Sequence, residues 1–89
     1  MSDSIKVVSV KPLDWGMLLL TFSDGFEGLF DTTEKLNASV FYKIREPDIW
    51  NNPRIAHGTV TWNDEQIDCS PDYLYQNCHH YDRIEELNN

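Results

Sequence analysis

The sequence has 89 residues, of which 40% are hydrophobic and 12% aromatic, and it carries a formal net charge of −8. This length suits one small domain and leaves no room for a two-domain nucleotide-dependent enzyme or for a barrel of about 250 residues. We expect a single domain over residues 1–89. Its folded core should span about 5–76, followed by a C-terminal tail, 77–89, whose order the sequence leaves open.

The charge is unevenly distributed along the chain. Residues 1–44 carry four lysines and six acids, whereas residues 45–89 carry three arginines and nine acids. The acidic second half serves either solubility or the docking of a small basic protein. Nucleic-acid binding is disfavoured, because neutralising phosphates requires clustered basic residues. That alternative would have to use Lys6, Lys11, Lys35, Lys43 and Arg45.

Several features bear on the compartment. No apolar run approaches the length of about 20 residues that a membrane-spanning helix needs. The first four residues lack the basic region of a secretory signal. Two cysteines, Cys69 and Cys78, are too few for a disulfide framework. We therefore predict a cytoplasmic protein without membrane contact.

The first half of the chain predicts three antiparallel strands. Residues 5–10 are rich in β-branched side chains, 17–22 are apolar on both faces, and 26–31 alternate. Asp24-Gly25, between the last two runs, is a strong hairpin signal. The pattern predicts a meander whose middle strand is covered on both sides, as a central strand would be.

Short helices and a second set of strands should follow. Thr32 or Thr33 can cap one helical turn, and Ser39 can cap a helix that continues to Ile44. The later elements are a helical turn at 49–50, two short strands or one bent strand around Gly58, a turn at Asn63-Asp64, a strand at 65–68 and a helix started by Ser70-Pro71. The predicted class is α+β, an antiparallel sheet (a three-strand meander plus a later hairpin) with short helices packed on one side.

The ordered set of motifs in the second half carries a family resemblance. These are Gly58-Thr59-Val60-Thr61-Trp62, a turn, Ile67-Asp68, and Ser70-Pro71-Asp72-Tyr73-Leu74-Tyr75. With matching motifs upstream, they make residues 5–76 resemble the small bacterial family known as domain of unknown function 2442. The resemblance implies a compact α+β domain with no established activity or catalytic residues. Some relatives carry a helix-turn-helix, and members tend to be encoded beside another small protein, which implies a regulatory or antitoxin-like role.

The aromatic residues suggest where a partner would bind. Trp15 and Trp50 lie in predicted turns, where they either pack over the sheet or form a partner surface. Tyr73 and Tyr75 are two apart on a predicted helix, so one of them should be exposed. With Asp72, these are the candidate partner-binding residues of a non-enzymatic interaction module. The partner would be a second copy of the chain or a small basic protein.

A metal- or thiol-dependent site is the alternative. It would use Cys69, Cys78, His79 and His80, with His57 as a further ligand. Thiolate and imidazole suit zinc, but structural zinc sites space their ligands differently, and adjacent histidines point in different directions. Cys69 precedes a helix start, which can lower a thiol pKa, yet no histidine is paired with it in the sequence. We therefore expect no metal, no cofactor and an ordinary polar tail at Cys78-His79-His80.

Overall fold

The computed structural model of the protein describes residues 5–63 and 67–80. Its strands are β1 (Val7–Pro12), β2 (Met17–Phe22), β3 (Glu27–Asp31), β4 (Arg54–Ala56), β5 (Thr59–Trp62), β6 (Ile67–Asp68) and β7 (His79–His80). Its helices are α1 (Thr32–Lys35), α2 (Ala38–Ile44), α3 (Pro47–Trp50) and α4 (Pro71–Asn77). The strands form two antiparallel sheets, in the orders β1-β2-β3-β7 and β4-β5-β6. The predicted α+β class, with its meander and later hairpin, is confirmed.

The larger sheet buries one of its faces in the core. Leu18, Leu20 and Phe22 alternate along β2 and are at most 1% exposed. Their side chains share this face with their cross-strand partners, Phe30 for Leu18 and Val7 for Phe22. Each large apolar side chain buried in this way contributes about 1.5–3 kcal/mol. The helices and the smaller sheet complete the core with Ile44, Val60, Trp62 and Leu74.

Within the part of the chain that the structure describes, β2 is covered on one side only, so the prediction of cover on both sides is not confirmed there. Met17 and Leu19, which alternate with the buried residues, are only half-buried, and so is Leu29 beside Leu19 on β3. Among the described apolar side chains, these three do not belong to the set that packs against the core. Among the described residues, α2, α3 and α4 add apolar side chains to the core on the opposite face and α1 buries Thr32, so no described helix covers the outer face of the sheet.

Two helix starts differ from prediction. Asp31 caps α1, because its Oδ1 accepts a hydrogen bond from the backbone N–H of Thr33 at 3.0 Å, so neither Thr32 nor Thr33 is the cap. Asn37 caps α2 through an Oδ1 bond to the N–H three residues on, and the predicted cap Ser39 donates its hydroxyl to the same oxygen at 2.8 Å. In both cases the helix begins directly after an Asp or Asn, whose side-chain oxygen accepts the first N–H bonds.

The second half of the chain settles two choices that the sequence left open. β4 and β5 are separate strands joined by a turn at His57-Gly58. Ser70 caps α4 as predicted, and the helix ends at Asn77. His79–His80, predicted as polar tail, instead pairs with β3 as a short edge strand. Asp64 of the predicted turn and residues 81–89 of the predicted tail lie outside the described residues.

Candidate functional site

The link between β1 and β2 forms a rigid loop, residues 13–16, which we call the Trp15 loop. Leu13 N–H donates to the Met17 carbonyl at 2.8 Å and closes the loop at its base. The Leu13 carbonyl accepts from the Trp50 indole N–H at 3.3 Å. The Gly16 carbonyl accepts from the Thr32 hydroxyl at 2.7 Å. Three separate elements therefore hold the loop in one position.

Trp15 occupies an unusual place on this loop. Its backbone φ of 67° lies in the left-handed region, which costs an L-residue roughly 1–2 kcal/mol. Its side chain is 89% exposed, so burial does not offset that cost. The next residue, Gly16, also has a positive φ of 75°, and a Cβ there would lie 2.7 Å from Thr33 Cγ2. The loop therefore requires glycine at 16 and presents an indole to solvent at 15.

A cavity of about 390 Å³ lies beside the loop, and we call it the Trp15 groove. Its walls come from the Trp15 loop and from the helices α2 and α3. The lining side chains include Leu13, Asp14, Trp15, Phe41, Arg45 and Trp50. Trp50 forms the fixed wall, because its indole stacks on buried Trp62 with centroids 6.4 Å apart and planes inclined by 13°.

The groove combines aromatic faces with both signs of charge. Asp14 is exposed on the loop side. Arg45 ends α2, and its guanidinium carbon lies 4.3 Å from the centre of the Tyr42 ring, a cation–π contact outside the groove. Indole faces attract cations, and a nearby carboxylate adds to that attraction. A lysine or arginine side chain of a partner is therefore a suitable occupant beside Asp14.

The structure brings Trp15 and Trp50 together in this groove and places the other predicted residues elsewhere, on α4. Tyr73 is 41% exposed and its hydroxyl donates to the Lys35 carbonyl at 2.5 Å. Tyr75 is half-buried, so the expectation that one of the two tyrosines is exposed holds. Asp72 is exposed in the first turn of α4, where a carboxylate favours the helix.

Tyr75 ties α4 to the β2–β3 hairpin. Its hydroxyl donates to Asp24 Oδ2 at 2.7 Å, and its ring meets the Phe22 ring edge-on at 4.9 Å. The Phe26 backbone N–H and then the Tyr75 hydroxyl lower the pKa of Asp24. The same hydrogen bond, followed by burial, raises the pKa of Tyr75. This cluster holds the fold together and lies apart from the Trp15 groove.

The residues of the metal or thiol alternative are dispersed. Cys69 is buried ahead of α4, where its carbonyl accepts from the Thr59 hydroxyl. Burial raises the pKa of the Cys78 thiol, which disfavours the reactive thiolate. His80 stacks on Phe26 with centroids 5.1 Å apart, and His79 is exposed opposite Leu29. Within residues 5–63 and 67–80, no three His, Cys, Asp or Glu residues form a group able to hold a metal ion.

Sequence reasoning did not identify Phe41 and Arg45 as part of the groove. Phe41 on α2 and its C-cap Arg45 are four residues apart, a spacing that places both on one side of the helix and could have indicated the pair. The basic residues proposed for nucleic acid are spread over separate elements. Lys6 precedes β1, Lys11 lies on β1, Lys35 ends α1, and Lys43 and Arg45 lie at the end of α2.

Comparison with known proteins places the chain in a family without assigning an activity. No helix among the described residues has the length and apolar character needed to span a membrane. No curated protein and no solved structure matches the chain. The family model described as "Protein of unknown function (DUF2442)" matches residues 7–80, which covers most of the chain and every strand of both sheets. The chain therefore belongs to the DUF2442 family.

Proposed function

We propose that this protein is a non-enzymatic protein-interaction module that binds a small basic protein through the Trp15 groove, in an antitoxin-like or regulatory pair. The observation that carries the proposal is Trp15 itself. It is a solvent-exposed tryptophan on a loop held by three hydrogen bonds. It borders a cavity that a second tryptophan, Trp50, also lines. Tryptophan is among the residues that contribute most to protein–protein binding.

Rigidity of the loop supports this proposal. A flexible exposed tryptophan loses conformational entropy when a partner binds, which reduces the affinity that its contacts supply. The bonds from Trp50 to Leu13 and from Thr32 to Gly16 fix the backbone on both sides of Trp15 before binding. The left-handed φ of Trp15 is a local cost that its exposed side chain does not offset within the fold.

Charge supports a basic partner. The chain carries a net charge of −8, which attracts a basic protein over long range and speeds its association. Asp14 places one acidic group in the groove, and Glu46 and Asp48 are exposed near it, before and within α3. A lysine or arginine of the partner can therefore lie against an indole face while it pairs with a carboxylate. A cytoplasmic setting and a bacterial source belong to the same proposal.

Co-expression with the small protein encoded beside this chain tests the proposal. We expect the two proteins to co-purify, and Trp15→Ala to abolish co-purification while circular dichroism stays unchanged. Tyr73→Ala is the matched control, because it also removes an exposed aromatic side chain but lies on α4. Separate elution of the two wild-type proteins at micromolar concentration would contradict the proposal that they form a complex. Equal capture by Trp15→Ala and wild type would exclude the Trp15 groove as the binding site.

A further inference from the structure

The outer face of the larger sheet is a second surface that residues 5–63 and 67–80 leave uncovered. Strand pairing aligns Lys11, Leu19, Leu29 and His79 in one row across β1, β2, β3 and β7. Met17 lies two residues before Leu19 on β2 and therefore on the same face of the sheet. We call this surface, made of these five residues with Glu27 and Asp31 at its border, the outer face. None of the residues of the outer face lines the Trp15 groove.

The outer face carries three neighbouring apolar side chains, although Ser9 and Thr21 on the same face are polar. An antiparallel sheet with one solvated side normally alternates apolar and polar residues. β2 instead places Met17 and Leu19 on its outward side, and β3 places Leu29 beside them. The three side chains are partly exposed and do not pack against the core formed by the described residues. Contiguous apolar surface of this kind marks an interaction site.

We propose that a second copy of this chain covers the outer face and forms a symmetric dimer. A two-fold axis parallel to β2, midway between the larger sheets of the two copies, places Met17 and Leu19 against their counterparts in the second copy. The same axis places β1 of one copy over β3 of the other. Symmetric self-contact of this kind is the commonest form of assembly in soluble proteins.

Charge complementarity selects this arrangement. Glu27 and Asp31 flank Leu29 on the outward side of β3, since they pair with Thr21 and Met17 of β2. With the axis along β2, the aliphatic stem of Lys11 crosses Leu29 of the second copy. Its ammonium group then lies on the side of the Glu27 carboxylate, since Asp31 Oδ1 already accepts bonds from Thr33 as the cap of α1. An axis perpendicular to the strands would instead oppose Lys11 to its own copy, and like charges in contact are unfavourable.

The size of the surface sets the strength of the dimer. Three strands, β1 to β3, about 4.8 Å apart and up to about 20 Å long, give each copy a contact of a few hundred Å². This is smaller than the roughly 800 Å² per partner of a standard stable interface. We therefore expect a weak, reversible dimer with a dissociation constant on the order of 10 µM.

Sedimentation equilibrium of the full chain over a range of concentrations tests the dimer. We expect the mass to rise from 10.4 kDa toward twice that value as concentration increases. Leu19→Glu, which places two like charges at the axis, should weaken association at least about 10-fold while circular dichroism stays native. Tyr42→Glu is the matched control. Tyr42 is an exposed residue on α2, a helix that packs against the other side of the sheet, so it should leave association unchanged.

A charge exchange tests the arrangement of the two copies. Lys11→Glu and Glu27→Lys should each weaken the dimer several-fold, and the double variant should restore it. A chain that stays monomeric at about ten times the expected dissociation constant overturns the proposal. So does a dimer that Leu19→Glu leaves intact, or a double variant that restores nothing. A dimer seen only after removal of residues 81–89 also overturns it, because that segment would then be the natural cover.

Discussion

Trp15 adopts a backbone conformation that suits asparagine or glycine better than tryptophan. Its φ of 67° is left-handed, and its side chain gains little from the fold because it is 89% exposed. A tryptophan in this backbone conformation costs stability, which another property of the side chain can offset. In this account the property is partner binding, so stability and binding should respond to substitution in opposite directions.

Trp15→Asn should therefore stabilise the isolated protein. Asparagine tolerates the left-handed region, so we expect the free energy of unfolding to rise by about 0.5–1 kcal/mol. Urea denaturation of the two proteins measures this difference. The same variant should lose partner binding. A loss of stability greater than about 1 kcal/mol would mean that the indole holds the fold together after all.

The hydrogen bond between Asp24 and Tyr75 should make stability depend on pH at both ends of the range. The pKa of Asp24 is lowered, first by the Phe26 N–H and then by Tyr75, so its stabilising effect is present at neutral pH. That effect is lost as pH falls below about 4. The pKa of Tyr75 is raised, so its stabilising effect is present below its unfolded value and is lost as pH rises above about 10.

Tyr75→Phe distinguishes the loss of stability at alkaline pH from the loss at acid pH. The variant keeps the ring contacts with Phe22 and Phe26 but loses the hydroxyl. We expect the urea midpoint of the wild type to decline above about pH 10, and we expect a shallower decline in the variant. The acid decline should persist in part, because the Phe26 N–H still bonds Asp24. An identical alkaline decline in both proteins would exclude Tyr75 as its source.

The sequence indicated two groove residues but not how they meet. Trp15 and Trp50 were predicted as partner-binding because large aromatics in turns are costly to leave wet, and whether they bind a partner stays a prediction. Their common position depends on a bond between Trp50 and Leu13, which are 37 residues apart. Local patterns carry no information on such a contact. The pairing of Asp24 with Tyr75 across 51 residues was unpredictable for the same reason.

At the level of secondary structure, the start of α2 gives a direct test. Asn37 Oδ1 accepts from a helical N–H at 3.0 Å, whereas Ser39 bonds only to Asn37. Asn37→Ala should therefore destabilise the protein by about 1 kcal/mol, and Ser39→Ala by clearly less. Thermal unfolding of both variants measures the two costs. A larger cost for Ser39→Ala would restore Ser39 as the cap that the sequence predicted.

Long, patterned elements were predictable and short ones were not. β1, β2, β3 and β5 carry β-branched or alternating apolar residues over four to six positions, and the structure places strands there. β7 has two histidines and no alternation, so nothing in its sequence predicts a strand. It forms because the β3 edge offers partners at Gly28 and Leu29. The packing of the described helices on one side of β2 was missed, because an apolar run does not indicate how many layers pack on it.

For the whole molecule, net charge should control the rate of partner binding more than its strength. A chain with a charge of −8 attracts a basic partner over long range, and salt screens that attraction. We expect the association rate constant to fall about 10-fold as ionic strength rises from about 0.05 to 0.5 M, with a smaller change in dissociation. Stopped-flow tryptophan fluorescence measures both rates. An association rate that salt leaves unchanged would contradict electrostatic steering.

The central claim is that the Trp15 groove binds a protein partner. Isothermal titration of the co-purified small basic protein against wild type, Trp15→Ala and Tyr73→Ala tests it most directly. We predict that Trp15→Ala weakens binding by at least about 30-fold, which corresponds to about 2 kcal/mol, and that Tyr73→Ala weakens it less than about 3-fold. Equal affinities for wild type and a natively folded Trp15→Ala variant would contradict the claim.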